Sequence, residues 1–145
     1  LTVRDLESRR PLKLFFAFEF KDQVFFGHGS SARDPYFGIV DVTDTWSFKE
    51  LYPYLGILNS SICDAIMTAH IINKRWDDSF PATLSKKVVT GILRGLLDYK
   101  GVAFSDDMQM GTISKNYGLE KAIEPAINKG ADVLMFANNV SKDQK

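Results

Sequence analysis

The stretch Gly101-Val102-Ala103-Phe104-Ser105-Asp106-Asp107-Met108 decides the fold. A glycine and three apolar residues run without interruption into a serine and two adjacent carboxylates. Such a run suits a parallel strand covered on both faces, and the polar residues that end it suit the functional rim of a sheet. Residues 65–68, within CDAIMTAHI, and residues 131–136, within ADVLMFANN, repeat the pattern. Residues 14–20 form a fourth candidate, rich in aromatics and broken by Glu19.

Helical patterns lie between these strands. Residues 47–58 open on Ser47 with Glu50 three positions on, the spacing of a capping box that satisfies two amide donors reciprocally. Pro53 makes that helix short or kinked. From Ser85, the residues Val88, Val89, Ile92, Leu93, Leu96 and Leu97 recur at helical spacing, although Gly91 and Gly95 each cost about 1 kcal/mol relative to Ala. Residues 119–129 place Ala122, Ile123, Ala126 and Ile127 on one face, with Gly130 as C-cap and Pro125 as an internal breaker. Strands alternating with helices of this length make an α/β fold of βα units around a parallel sheet. A complete (βα)8 TIM barrel takes about 250 residues, so a chain of 145 has room for about four βα units, a partial barrel.

Apolar residues make up 45% of the chain, and 18 basic residues balance 18 acidic ones, so the sequence reads as one globular domain or part of one. With no net charge and the basic residues scattered, nucleic acid is set aside as a partner. The one cysteine, Cys63, cannot close an internal disulfide and reads as a small core residue. No apolar run approaches the roughly 20 residues that cross a bilayer, so no membrane partner is expected, and the first residues do not form a secretory signal. The chain opens on Leu1 rather than Met; an upstream part, with any export signal, is expected to be missing, and the sequence assigns no compartment.

On a parallel barrel, residues that follow a strand sit at the C-terminal rim where active sites are built, which is where Ser105, Asp106 and Asp107 fall. Successive side chains on an extended strand point to opposite faces, so only one of the two carboxylates can aim into the barrel mouth. Asp106 could attack an anomeric carbon while Asp107 holds the loop by hydrogen bonds. Taken alone, the pair reads more readily as a solvated cap on the next helix. Gly27, His28 and Gly29 form a tight turn whose small backbone lets the imidazole approach a ligand or pack on a loop. His70, at the end of IMTAHI, either donates to a sugar hydroxyl or holds a loop. His28 and His70 are the only histidines and have no cysteine partners, so no zinc site is expected. Phe25, Phe26, Tyr36, Phe37 and Trp46 would make a platform for a sugar face or, more commonly, fill a core.

In order and content, the segments FFGHGSSARD, GIVDVTDTW, KELYPYL, AIMTAHI, FPATLS, GVAFSDDMQM and GADVLMFANN resemble the catalytic domain of the bacterial β-N-acetylglucosaminidases, or β-N-acetylhexosaminidases, of glycoside hydrolase family 3. They run through residues 25–139. The resemblance implies the C-terminal half of that family's barrel over residues 23–145 and leaves residues 1–22 unplaced. It implies a retaining hydrolase of terminal β-linked N-acetylglucosamine from peptidoglycan fragments or chitin-type saccharides, with a small saccharide as partner and neither metal nor organic cofactor. The nucleophile is then Asp106, the first Asp of Ser105-Asp106-Asp107-Met108, and Gln23, His28, His70 and Met110 are candidate substrate contacts. A second group must protonate the leaving oxygen and later activate water. The family uses a His for this, paired with an Asp two residues earlier on a mobile loop.

Here that motif reads Asp34-Pro35-Tyr36, which keeps the carboxylate and replaces the histidine. A phenol with a pKa near 10 is a weaker acid than an imidazole near 6.5 and stays protonated when a base is needed. Upstream, the family pattern K-H-F-P-G-H-G becomes Gln23-Val24-Phe25-Phe26-Gly27-His28-Gly29, which removes a charged donor and an imidazole. Impaired hydrolysis is therefore expected, and a non-catalytic saccharide-binding or structural remnant is the alternative. A response-regulator-like α/β domain built on the acidic pair would leave MTAH and PATLS unexplained. Half a barrel also leaves two sheet edges and an apolar interior face, which the missing half, a second copy of the chain or a rearranged core has to cover.

Overall fold

The computed structural model describes residues 14–15, 25, 38–58, 63 and 65–137. In chain order its strands are β1 (Leu14–Phe15), β2 (Val40–Asp41), β3 (Ala65–Met67), β4 (Ile71–Ile72), β5 (Val102–Asp107) and β6 (Val133–Met135). Its helices are α1 (Tyr52–Leu58), α2 (Lys87–Leu96), α3 (Gly111–Ser114) and α4 (Leu119–Asn128). The strands make a four-stranded sheet in the order β1-β3-β5-β6 and a separate pair, β2-β4, with every pairing parallel. The fold is thus α/β, with helices α2 and α4 on the crossovers from β3 to β5 and from β5 to β6.

Three of the strands read from apolar runs are present, with one correction that matters. The apolar signal of the central strand ends at Phe104, but β5 continues to Asp107, so the acidic pair lies inside the strand. The ladder follows backbone pairing rather than side-chain polarity: the Asp106 amide donates to the Thr68 carbonyl at 3.2 Å, and the Met108 amide to the Met135 carbonyl at 2.9 Å. Between β3 and β5 the register is even, from Ala65 opposite Val102 to Met67 opposite Phe104. Between β5 and β6 it runs from Phe104 opposite Val133 to Asp107 opposite Met135, so three steps along β5 answer two along β6. One extra residue is therefore held in β5 between Phe104 and Asp107, a bulge of the kind that re-aims a side chain next to an active site. Of the candidate strand at residues 14–20, the described part is β1, and the remainder lies outside the described residues.

The core packs Ile66, Ala69 and Ala103 of the sheet region against Val88, Val89, Ile92 and Leu93 of α2. Phe25, fully buried, meets the edge of Tyr54 at 5.1 Å between ring centroids, and Trp46 lies beside Trp76 at 5.8 Å. Phe25 and Trp46 therefore fill the core rather than forming a sugar platform, while Phe26, Tyr36 and Phe37 lie outside the described residues. Cys63 is half-buried against the same core.

The helices depart from their expected form in two places. The capping box does not form: Ser47 precedes a 3-10 turn, Phe48–Leu51, without a side-chain cap bond, and α1 begins only at Tyr52, which leaves Pro53 in its tolerated first turn. Helix α2 is wound as a π-helix, closing bonds five residues back, as from the Leu97 amide to the Ile92 carbonyl at 2.8 Å. The wider winding keeps Val88, Val89, Ile92 and Leu93 on the core but rotates Leu96 off it, 64% exposed, against the expectation from 3.6-residue spacing.

Helix α4 ends as expected on Gly130. The Gly130 amide donates to the Ile127 carbonyl and the Ala131 amide to the Ala126 carbonyl, both at 3.1 Å, with φ at Gly130 of 116°, which is a Schellman cap. A side chain at this position would stand 3.0 Å from Val89 Cγ1 and 3.2 Å from Thr90 Oγ1. Thr90 Oγ1 itself donates to the Lys129 carbonyl at 2.9 Å, so α2 and the end of α4 are in direct contact. At the opening of β6, Asp132 accepts from the Ala103 amide at 2.7 Å and from the Arg94 guanidinium, which tethers α2 to both strands. Gly130→Ala should cost about 1–3 kcal/mol of stability, through the positive φ and the contact with Val89. Urea denaturation of the two proteins measures it, and an unchanged midpoint would contradict the geometry.

Candidate active site

The bulge in β5 is built by side chains. On the β3 side the ladder stays in step, with the Thr68 amide donating to the Phe104 carbonyl at 2.9 Å and the Asp106 amide returning to the Thr68 carbonyl. On the β6 side, the hydroxyl oxygen of buried Ser105 accepts the Met135 amide at 2.9 Å in place of a backbone carbonyl. The extra residue is accommodated because a serine side chain completes the pairing that the backbone gives up.

Asp106 is partly exposed, and its Oδ1 accepts the amide of Asp107 at 2.7 Å. Asp107 is buried, and its Oδ1 accepts the amides of Gln109 at 3.0 Å and Ala137 at 3.2 Å. The two neighbouring carboxylates thus differ in kind. One stands at the rim, and the other ties the turn after β5 to the segment after β6. A carboxylate that accepts several backbone amides is a structural clamp, whereas a partly exposed one beside it can meet a ligand.

His70 is fully buried between β3 and β4. Its Nδ1 lies 3.0 Å from Thr83 Oγ1 and its Nε2 3.0 Å from the Asp107 carbonyl oxygen. Thr83 Oγ1 lies in turn 2.9 Å from Thr68 Oγ1 and 2.9 Å from the Ala69 carbonyl. The Met110 amide donates to the same Asp107 carbonyl at 3.0 Å, and the Met110 side chain is buried at the start of α3. Of the residues singled out in the sequence, the structure therefore groups Asp106, His70 and Met110 around Asp107. Gln23, His28, Asp34 and Tyr36 lie outside the described residues. Thr68 and Thr83 were not singled out, because a threonine between apolar neighbours carries no signal until its partner across the fold is known.

Burial pushes the His70 pKa below its ordinary value; the nearby Asp106 carboxylate and the Asp107 carbonyl oppose the shift without reversing it. Unfolded, the imidazole titrates near 6.5; folded, it stays neutral to lower pH. The unfolded chain therefore binds the extra proton first, so the contribution of this group to stability is complete above about pH 6.5 and is lost as pH falls below it. The Asp77 pKa is also lowered, because hydrogen bonds from Ser85, Ser79 and Phe80 outweigh its desolvation, but that carboxylate acts only at lower pH. Urea midpoints should fall between pH 7.5 and pH 5; a flat or rising profile would be inconsistent with a neutral buried imidazole.

Comparison with known proteins shows the family of the chain. Residues 23–145 match the model of the glycosyl hydrolase family 3 N terminal domain. A β-hexosaminidase of Tolumonas auensis is 33% identical over 116 residues, spanning 78% of this chain and 34% of the relative. One of Bordetella avium is 34% identical over 117 residues, spanning 77% and 32%. The chain thus spans about a third of the length of these curated relatives. Among solved structures, CbsA from Thermotoga neapolitana superposes with a TM-score of 0.70 at 39% identity, over 78% of this chain and 27% of that one. A family 3 β-N-acetylglucosaminidase from Paenibacillus superposes with a TM-score of 0.69 at 33% identity, over 78% and 22%. Sequence and backbone agree over most of the chain, and this protein belongs to glycosyl hydrolase family 3, within its N-terminal domain.

Proposed function

We propose that residues 23–145 are the C-terminal half of a family 3 barrel, about four βα units, and that Asp106 is the nucleophile of a retaining hydrolase of terminal β-linked N-acetylglucosamine. The observation that carries this reading is the position of Asp106. It is partly exposed in the bulge at the C-terminal end of a central parallel strand, beside a carboxylate already consumed by backbone amides. The relatives include β-hexosaminidases and a β-N-acetylglucosaminidase, which supports this substrate class.

In that reaction the Asp106 carboxylate forms a bond to the anomeric carbon as the glycosidic bond breaks, and a second group delivers a proton to the departing oxygen. Water then attacks the glycosyl-enzyme, gives its proton to the same group and releases Asp106. Asp34 and Tyr36 occupy the sequence positions of that acid/base pair. Gln23, His28 and Met110 are the proposed substrate contacts. A phenol serves the first half-reaction poorly and the second worse, so turnover is slow.

An aryl β-N-acetylglucosaminide reports the chemistry directly. Asp106→Asn should lower its turnover by on the order of 1,000-fold or more; equal rates for the two proteins would remove Asp106 from the mechanism. Tyr36→His should raise turnover by up to about 100-fold, the typical worth of a well-matched general acid. No gain would mean that the site is incomplete for another reason. The loss of the histidine, and of the upstream Lys-His pair at Gln23 and Val24, also favours a second reading: a saccharide-binding remnant without turnover. Calorimetry with N-acetylglucosamine separates the two, because binding without hydrolysis supports the remnant.

A further inference from the structure

From its place after an apolar run, His70 could either meet a sugar hydroxyl or hold a loop, and its hydrogen bonds define the role. The Asp107 carbonyl oxygen can only accept, so the hydrogen between it and His70 Nε2, 3.0 Å away, belongs to the imidazole. A neutral ring then has a bare lone pair on Nδ1, which needs a donor, and the one in place is the Thr83 hydroxyl at 3.0 Å. Once Thr83 donates to His70, its oxygen is open to the Thr68 hydroxyl at 2.9 Å. The donors run in one direction, from Thr68 to Thr83 to His70 to the Asp107 carbonyl. Two carbonyls compete for these hydroxyl hydrogens, Ala69 at 2.9 Å from Thr83 Oγ1 and Phe104 at 3.1 Å from Thr68 Oγ1. Each already has an amide donor, Thr83 at 3.2 Å and Thr68 at 2.9 Å, whereas Nδ1 has only the Thr83 hydroxyl.

This chain of side chains is fully buried and links the ends of β3 and β5 through the 3-10 turn Ala82–Leu84. Its terminus is the residue that also orients the partly exposed carboxylate. The Asp107 amide donates to Asp106 Oδ1 at 2.7 Å, while the Asp107 carbonyl receives His70 and Met110. The residue next to Asp106 is thus held at its amide by the carboxylate and at its carbonyl by the imidazole.

We propose that His70 is a positioning residue: as a neutral Nε2–H imidazole aligned by Thr83 and Thr68, it fixes Asp107 and through it the Asp106 carboxylate at the rim. This rests on the nucleophile reading of Asp106. It gives His70 no contact with substrate, since both ring nitrogens are engaged within the protein. Thr68 and Thr83 become parts of the site without approaching it.

The test uses the full chain, labelled with nitrogen-15. Long-range proton–nitrogen spectra at pH 7 should show His70 protonated on Nε2 alone, and the same form at pH 6. The Nδ1–H tautomer, or titration at the ordinary midpoint near 6.5, would overturn the proposal. In His70→Leu, hydrogen exchange of the Asp106, Asp107 and Met110 amides should accelerate about tenfold or more over that of the α4 amides. His70→Gln, which keeps a side-chain donor, should recover part of the protection. Equal acceleration in α4 would make His70 a plain core residue and end the proposal. If His70→Leu does not fold, Thr83→Val, which keeps the shape and removes the hydroxyl, should give the same local pattern; no local difference there overturns the proposal as well. Where turnover is measurable, kcat should fall about tenfold with KM unchanged. These spectra do not depend on Asp106→Asn kinetics, so the nucleophile reading can fail while the alignment of His70 is still measured, and the reverse.

Discussion

Strand β5 is paired on both sides, and the rim depends on the one place where its two neighbours disagree about register. On the side of β3 the backbone steps evenly through Asp106; on the side of β6 one residue too many has to be absorbed between Phe104 and Asp107. The displaced amide of Met135 needs an acceptor, because a donor left unmet away from water costs about 1–3 kcal/mol. Ser105 meets that need with its side chain. The serine before the acidic pair is therefore a condition of the geometry that follows it, and Asp106 and Asp107 inherit different environments from one irregularity.

The larger elements were legible in the sequence because they obey periodicity. Apolar runs located β3, β5 and β6, and apolar spacing with a glycine stop located α4. What escaped was set by partners distant in sequence. Strands β2 and β4 have two residues each, too few to show any alternation, and they exist because Val40 finds Ile71 and Asp41 finds Ile72. The exposed Leu96 could not be foreseen either, since the π winding that turns it out is a choice of backbone bonds among residues that would equally suit a tighter helix. At the site, Asp106 could be named from its place after a strand, but Thr68 and Thr83 could not. Their meaning lies in hydroxyl contacts across fifteen residues of chain.

The sheet order also bears on how the half-barrel reading would be completed. Among the described residues β6 has no strand on its outer side. In a closed barrel a further parallel strand would pair with the backbone groups along that edge. The relatives are about three times as long as the region they share with this chain, which leaves ample sequence in them for such strands.

The contact at Gly130 reaches beyond local geometry. Because the end of α4 rests on Val89 and Thr90, helix α2 and the turn that feeds β6 hold each other in place. The two crossovers are then one cooperative unit rather than two modules in series: opening the edge strand requires the preceding helix to let go. Such coupling makes the rim around Asp106 hard to loosen piecemeal. It also closes a loop of some forty residues, whose ordering entropy the packing between the two helices has to offset.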